Sequence, residues 1–553
     1  MKRLTHSALS TLCIAFFLNP SLGLLGQTGG TQPLRVFIFA GQSNMVGSDS
    51  QVSAISEFPP FVGVETPRPD VRFAYCLGRE NKTRSDGWEA LAPVNGLVGP
   101  ELTFAREVTQ VLQAPIAVIK CAAGGTHLGG DWNPRNPSRF KMYPLTLDLI
   151  RARLAELEAE GIDYRLEGFI WHQGENDMFE EGYLQDYGTN LKQFIAAWRK
   201  DLNTPKLPFY IGELCTKTIW GMDLRLRMNA IRQGQEAVTE TDPLATYVPT
   251  SHIGVEIGEP VGLHYHYGTL GQLEHGVNYA QAYLKAHGVV PAPSRALQPW
   301  PHVSSSRVRL FILAGHRNMQ GEHAFVQQVD ASQRDLLQPK QDVPYRYSIG
   351  GGYNVSKGWE AMRPAGFYQT FGPELSFAQH LASHLKSPIA IAKYTHGGSQ
   401  LNDWTPEGTP ATKRHLYPDF IRFIQESITD LIRRGHSVEL VGVFYHLGEN
   451  EMSMPPYRRQ VSSWLQSLIR QTRIDLNLPD LHWYVSQQRP TDHQSVNSID
   501  VTAALRRQAE TDPHLTRIDA FHLNQPGKKL VFNTQGVIAL GYLLAESYLQ
   551  ARP

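Results

Sequence analysis

Ser43 follows the apolar run RVFIFAG (35–41) after one intervening glutamine, and other polar groups stand at comparable places along the chain. The glycine pair Gly124-Gly125 succeeds PIAVIKC (115–121), Gln173 and Asn176 succeed EGFIWH (167–172), and His264 and His266 lie in PVGLHYHYG (260–268). A serine hydroxyl is a poor nucleophile until a base takes its proton, and the tetrahedral intermediate needs N–H donors aimed at its oxyanion. Ser43 and a histidine form the first pair. The Ser43 N–H, the N–H groups of Gly124 and Gly125, and the amides of Gln173 and Asn176 are the candidate oxyanion donors. Gln42, Asn44 and Trp132 flank them as candidate substrate contacts. The chemistry such a set could do is attack on an acyl carbonyl, which requires no metal and no cofactor. Asp177 has no second metal ligand at suitable spacing. Each signal alone also suits an ordinary turn or loop; their common position after apolar runs is what carries the reading.

Those runs are nearly continuous in apolar residues, as strands buried on both faces are. PFYIGEL (208–214) adds another. Between them, LTFAREVTQVLQ places Leu102, Ala105, Val108 and Val111 or Leu112 on one helical face, with Pro100 in the first turn. Alternating strands and helices predict an α/β fold: a parallel sheet with helices on both sides and the ligand at the carboxyl ends of the strands.

The whole arrangement occurs twice. FIFAGQSNMVG (37–47) returns as FILAGHRNMQG (311–321), GWEAL as GWEAM, VGPELTFA as FGPELSFA, and GFIWHQGEND as GVFYHLGENE. The offset is 274 residues both at Ser43/Arg317 and at Gly174/Gly448. Two copies of one domain follow, 33–288 and 307–553, joined by a Pro/Ser-rich linker over 289–306. The second carries Arg317 where the first has serine. Trp88 and Trp359 recur as packing or rim residues, and Glu101 and Glu374 as first-turn carboxylates that meet free N–H groups.

Composition narrows the class. Of 553 residues, 41% are hydrophobic and 19% charged, which suits a globular protein, and Lys+Arg and Asp+Glu are both 52, which favours neither nucleic acid nor an acidic partner. The N-terminus has a basic start (MKR), a short apolar run (ALSTLCIAFFL) and a helix-breaking stretch (NPSLGLLG). That layout predicts a signal peptide over 1–26 and a secreted or periplasmic protein with no membrane span. Cys76, Cys121 and Cys215 remain beyond it, too few for a disulfide framework.

GQSNM, the AGGTHL segment, WHQGEND and the late histidine block resemble the SGNH-hydrolase superfamily, and within it the sialate O-acetylesterase / carbohydrate esterase family 6 branch. The resemblance covers nearly all of the first copy and, in degenerate form, the second. It implies tandem flavodoxin-like three-layer α/β/α domains. It also implies a metal-free Ser–His(–Asp) set, with Ser43 as nucleophile and His264 as base, and an acetylated carbohydrate as substrate. Acetylxylan is the alternative substrate, and a glycan-binding pseudoenzyme the alternative function.

One position departs from the family pattern, which has an aspartate three residues before the catalytic histidine. Val261 stands there, whereas Asp519 and His522 in the second copy have that spacing. Three readings follow: Glu259 or Glu256 supplies the carboxylate, a backbone carbonyl orients a Ser–His dyad, or the first site is weakened. Counting to the glycines of the last helices, Gly276 and Gly536, selects His264 over His266.

Overall fold

A computed structural model of the chain describes residues 32–80, 82–216, 218–219, 222–255, 266–289, 307–409, 414–490, 499–523 and 530–551. The expected signal peptide, most of the expected linker, and Glu256, Glu259, Val261 and His264 lie outside the described residues.

The first copy is built on strands β1 (Leu34–Gly41), β2 (Arg68–Leu77), β3 (Ile116–Ala122), β4 (Tyr164–His172), β5 (Phe209–Gly212) and β6 (Ala245–Val248). They pair in parallel in the order β6-β5-β4-β1-β3-β2, and short antiparallel strands, Thr83–Arg84 and Glu89–Leu91, pair with β2. Strands β7 (Arg307–Gly315), β8 (Lys340–Ile349), β9 (Ile389–Thr395), β10 (Ser437–His446), β11 (Trp483–Gln487) and β12 (Leu515–Asp519) repeat that order in the second copy as β12-β11-β10-β7-β9-β8.

Side chains alternate across each parallel strand, so both sheet faces are apolar and both are covered. From β1, Val36, Ile38 and Ala40 enter one core with Ile150, Phe194 and Met228 of the helices Met142–Ala159, Tyr187–Asp201 and Arg225–Thr241. Phe37 and Phe39 enter the opposite core with Phe104 and Tyr283. Leu310 and Ile312 against Phe311 and Leu313 repeat the division. Each copy is therefore a three-layer α/β/α domain.

The sheet order reverses direction at β1. Connections leaving β1 and β4 open a crevice there, which is where ligands sit in doubly wound sheets. Gly41 ends β1 because the strand nearly touches its neighbour: a Cβ at this position would lie 2.1 Å from the His172 carbonyl oxygen.

Candidate active site

The short helix α1 (Ser43–Val46) starts directly beyond Gly41, so Ser43 lies at the carboxyl edge of the sheet. The side chain of Ser43 is 9% exposed. After β3, the Gly124-Gly125 pair passes beside it: a Cβ at Gly124 would lie 3.4 Å from the Ser43 Cβ, and one at Gly125 3.9 Å from Asn176 Nδ2. Ser43, the glycine pair and Asn176 thus share one small space.

Gln42 sets the orientation of Asn176. Its Nε2 donates to Asn176 Oδ1 at 3.1 Å, so the amide nitrogen of Asn176 turns the other way, toward Gly125. Gln173 takes no such part, because it is fully buried and its Nε2 donates to Gln42, to the Thr126 carbonyl and to Asp177. Expected as an oxyanion donor, Gln173 is a bracing residue. Asp177 is braced likewise. Burial raises its carboxyl to about 6 while the N–H groups of Leu128 and Gly129 bind it.

The three expected substrate contacts are buried too. Gln42 and Asn44 are each 1% exposed and Trp132 is inaccessible, its ring against Trp171 and its Nε1 donating to Thr126. They shape the site from beneath and do not face a ligand. Arg79, by contrast, is exposed after β2, and a Cβ on Gly125 would lie 2.8 Å from its Nη1. No motif marks Arg79 in the sequence; only the fold brings it over the glycine pair. On the same rim His127 contacts Asp131 and lies 5.6 Å from the Tyr183 ring.

The histidine within the described residues is His266, just ahead of the helix α2 (Gly268–Ala286). Its Nδ1 is 2.6 Å from Asp49 Oδ2, and this hydrogen bond holds the Asp49 carboxyl below its usual range. Asp49 lies six residues beyond Ser43, in a left-handed turn with φ 61°. The next residue, Tyr267, donates its N–H to Asn44 Oδ1 at 3.2 Å, while Gln272 Nε2 donates to the Asn44 carbonyl at 2.8 Å. Asn44 therefore ties the histidine segment to the residue beside the nucleophile. Asn44 Nδ2 in turn donates to Glu175, whose carboxyl burial raises. His172, below, is fully buried and driven down to about 3 by desolvation, so it is a neutral packing group.

Hydrogen bonds also set the register between the copies. Asn44 Oδ1 accepts from Tyr267 N–H as Asn318 Oδ1 accepts from Phe532 N–H, at 2.7 Å in the second case. Thr269 bonds Gln51 as Thr534 bonds Phe325, and Gly276 meets Pro100 as Gly541 meets Pro373. The counterpart of Gly276 is thus Gly541, not Gly536, and His266 faces Val531. His522, in turn, matches His252, because β12 aligns with β6. Counting glycines fails because the second copy is five residues shorter between these elements. His522 is exposed and Asp519 pairs with Arg517.

The family of carbohydrate esterases described as sialic acid-specific acetylesterases matches residues 33–285 and again 307–550, and the chain belongs to that family. A probable carbohydrate esterase from Arabidopsis thaliana is 30% identical over 114 residues, covering 20% of this chain and only 40% of that relative. Among solved structures, an Arabidopsis thaliana protein aligns with 46% of this chain and 99% of its own at 21% identity and a TM-score of 0.35. NanS aligns with 46% and 98% at 15% identity and 0.35, and a carbohydrate acetylesterase from Xanthomonas citri with 49% and 59% at 17% and 0.33.

Proposed function

We propose that the first copy is a carbohydrate O-acetylesterase working through an acetyl-Ser43 intermediate, with His266 as its base and Asp49 as the carboxylate that orients it. The observation that carries this reading is the convergence of Ser43, Gly124-Gly125 and Asn176 in one crevice, with the His266–Asp49 pair tied to Asn44. Ser43 Oγ attacks the acetyl carbonyl as its proton passes to His266 Nε2, the ring nitrogen remote from Asp49. The N–H groups of Ser43 and the glycine pair and the Asn176 amide hold the oxyanion. As the tetrahedral intermediate collapses, the imidazolium protonates the departing sugar oxygen, which leaves as the alcohol. Water, deprotonated by the same imidazole, releases acetate. With His266 as base, Leu263 stands where the family pattern has its aspartate, and Asp49, from the turn after Ser43, supplies the carboxylate instead. Placing His266 in the base's role supersedes the glycine count that selected His264.

Arg79 favours an anionic sugar such as a sialate over neutral xylan, because an exposed guanidinium at the mouth of the crevice suits a substrate carboxylate. The test is acetate release from O-acetyl sialosides and from acetylated xylan by wild type, Ser43→Ala and Arg79→Ala. Ser43→Ala is expected to be inactive on both, and Arg79→Ala to raise KM on the sialoside alone. Equal inertness of wild type and Ser43→Ala leaves the glycan-binding reading in its place. Export rests on the N-terminal layout and is checked by sequencing the N-terminus of the mature protein.

A further inference from the structure

In the second copy Arg317 stands in the place of Ser43, and the surface beside it is covered by the first copy. Arg317 is 6% exposed, with Nε 3.0 Å and Nη2 2.6 Å from the Glu322 carboxylate. Its Nη1 donates to the Val255 carbonyl at 2.9 Å. The backbone here runs close against the pair: a Cβ on Gly254 would lie 2.5 Å from Glu322 Oε1 and 2.9 Å from Arg317 Nη2. Gly398 is the counterpart of Gly125, and a Cβ there would lie 2.4 Å from the Ser251 carbonyl oxygen. The surface that opens to substrate in the first copy is, in the second, covered by residues 251–255 of its neighbour.

Those residues begin the connection that ends at His266. Glu213, itself paired with Arg232 at 2.9 Å, accepts the N–H groups of Thr250 and Ser251 and fixes the upstream end. Ile253 is fully buried in an apolar cluster with Cys215 and Tyr267, and Val255 packs against that cluster. Tyr267 adjoins His266. On α2, a Cβ on Gly271 would lie 3.0 Å from the Gly254 carbonyl oxygen, and Glu274 lies near enough to feel both Glu322 and Arg317.

We infer that the degenerate site of the second copy is a clamp for the base-bearing segment of the first, and that Arg317 is a positioning residue for His266. The inference rests on the esterase reading of Ser43 and His266. A serine at 317 is too short to reach Val255, whereas a guanidinium fork meets a carboxylate and still has a donor for a carbonyl. Because the pair is buried and mutually neutralising, the clamp is rigid. Displacing a base by about 1 Å costs up to about a hundredfold in rate, so such a clamp acts on catalysis without touching substrate.

Arg317→Ala, Arg317→Lys and the double variant Arg317→Gln/Glu322→Gln, which removes the Glu322 carboxylate together with its guanidinium partner, test this in the full-length chain. The measurements are the rate of Ser43 modification by a fluorophosphonate, kcat and KM on 4-nitrophenyl acetate, and deuterium uptake at amides 251–255 and 266–271. Arg317→Ala and the double variant are expected to lower kcat and the labelling rate by about ten- to a hundredfold. KM stays near wild type, uptake rises in both segments, Arg317→Lys recovers part of the rate, and added guanidinium partly rescues Arg317→Ala. Unchanged labelling and kcat in both Arg317→Ala and the double variant overturn the inference and leave the esterase reading intact. If the wild type is neither labelled nor active, the esterase reading fails. Deuterium uptake then decides the clamp by itself, and unchanged uptake in the double variant overturns it.

Discussion

The two copies keep the same scaffold and differ where chemistry is done. Lys120 and Glu101 pair at 2.7 Å in the first core, and Lys393 and Glu374 at 2.8 Å in the second, so the structural first-turn carboxylates expected from sequence also neutralise buried lysines. Asp131 and Asp403 take equivalent backbone N–H groups, and Asn44 and Asn318 hold equivalent turns before the last helix. Against this constancy, Ser43 becomes Arg317, Gln42 becomes His316, Gln173 becomes Leu447 and His266 becomes Val531. Buried polar groups persist because stranding one of them destabilises the fold. A nucleophile and its base answer only to function, and active-site geometry is commonly held against stability.

The contrast is broken most decisively by Ser43→Ala. Acetate release is expected to fall at least about 10³-fold, and residual turnover near wild type would mean that the second copy is catalytic. Arg317→Ser is expected to create no activity in the second copy, since Val531 stands at the position of His266, the proposed base. Next in size, Asn176→Ala is expected to lower kcat by about 10²–10³, while Asn450→Ala in the second copy leaves kcat unchanged. Asp49→Asn removes the carboxylate behind His266 and is expected to cost about 10² in kcat/KM, the lower end for general-base catalysis, because Asp49 is largely in solvent.

The smallest effect concerns what the copies share. Burial raises the Asp131 carboxyl, but hydrogen bonds from His127, from the Phe140 N–H and from Ser138 outweigh it and hold it at about 2. A depressed carboxyl stabilises above its unfolded pKa and loses that contribution as pH falls toward the folded value. Asp131→Ala is therefore expected to cost about 2 kcal/mol near neutral pH, and the difference from wild type to shrink between about pH 4 and pH 2 in denaturant titrations. Asp403→Ala removes the acceptor of the Gln400 N–H and is expected to destabilise the second copy, read in the same denaturant titrations at neutral pH.

Much of this was readable beforehand, for stated reasons. Strand ends and helical faces follow from hydrophobic period, and the repeat from matched blocks, so the α/β architecture and the places of Ser43, Gly124-Gly125 and Asn176 emerge from local pattern. Gln173, Asn44 and Trp132 misled because residue type does not say which way a side chain faces. The glycine count behind His264 assumes equal connections in both copies, whereas this one is five residues shorter in the second; His264 itself lies outside the described residues. Asp49 and Arg79 carried no motif at all.

The sequence by itself determined that there are two homologous α/β domains, that one holds a serine after its first strand, and that the other does not. Those properties are carried by covalent order and by the period of apolar residues, which every local segment expresses alone. Only the tertiary structure decided that His266 meets Asp49, that Arg79 overhangs Gly125, and that Arg317 grips Val255. Each of these joins residues from different elements, and their distances exist only once two sheets have closed their cores and fixed the ends of the strands.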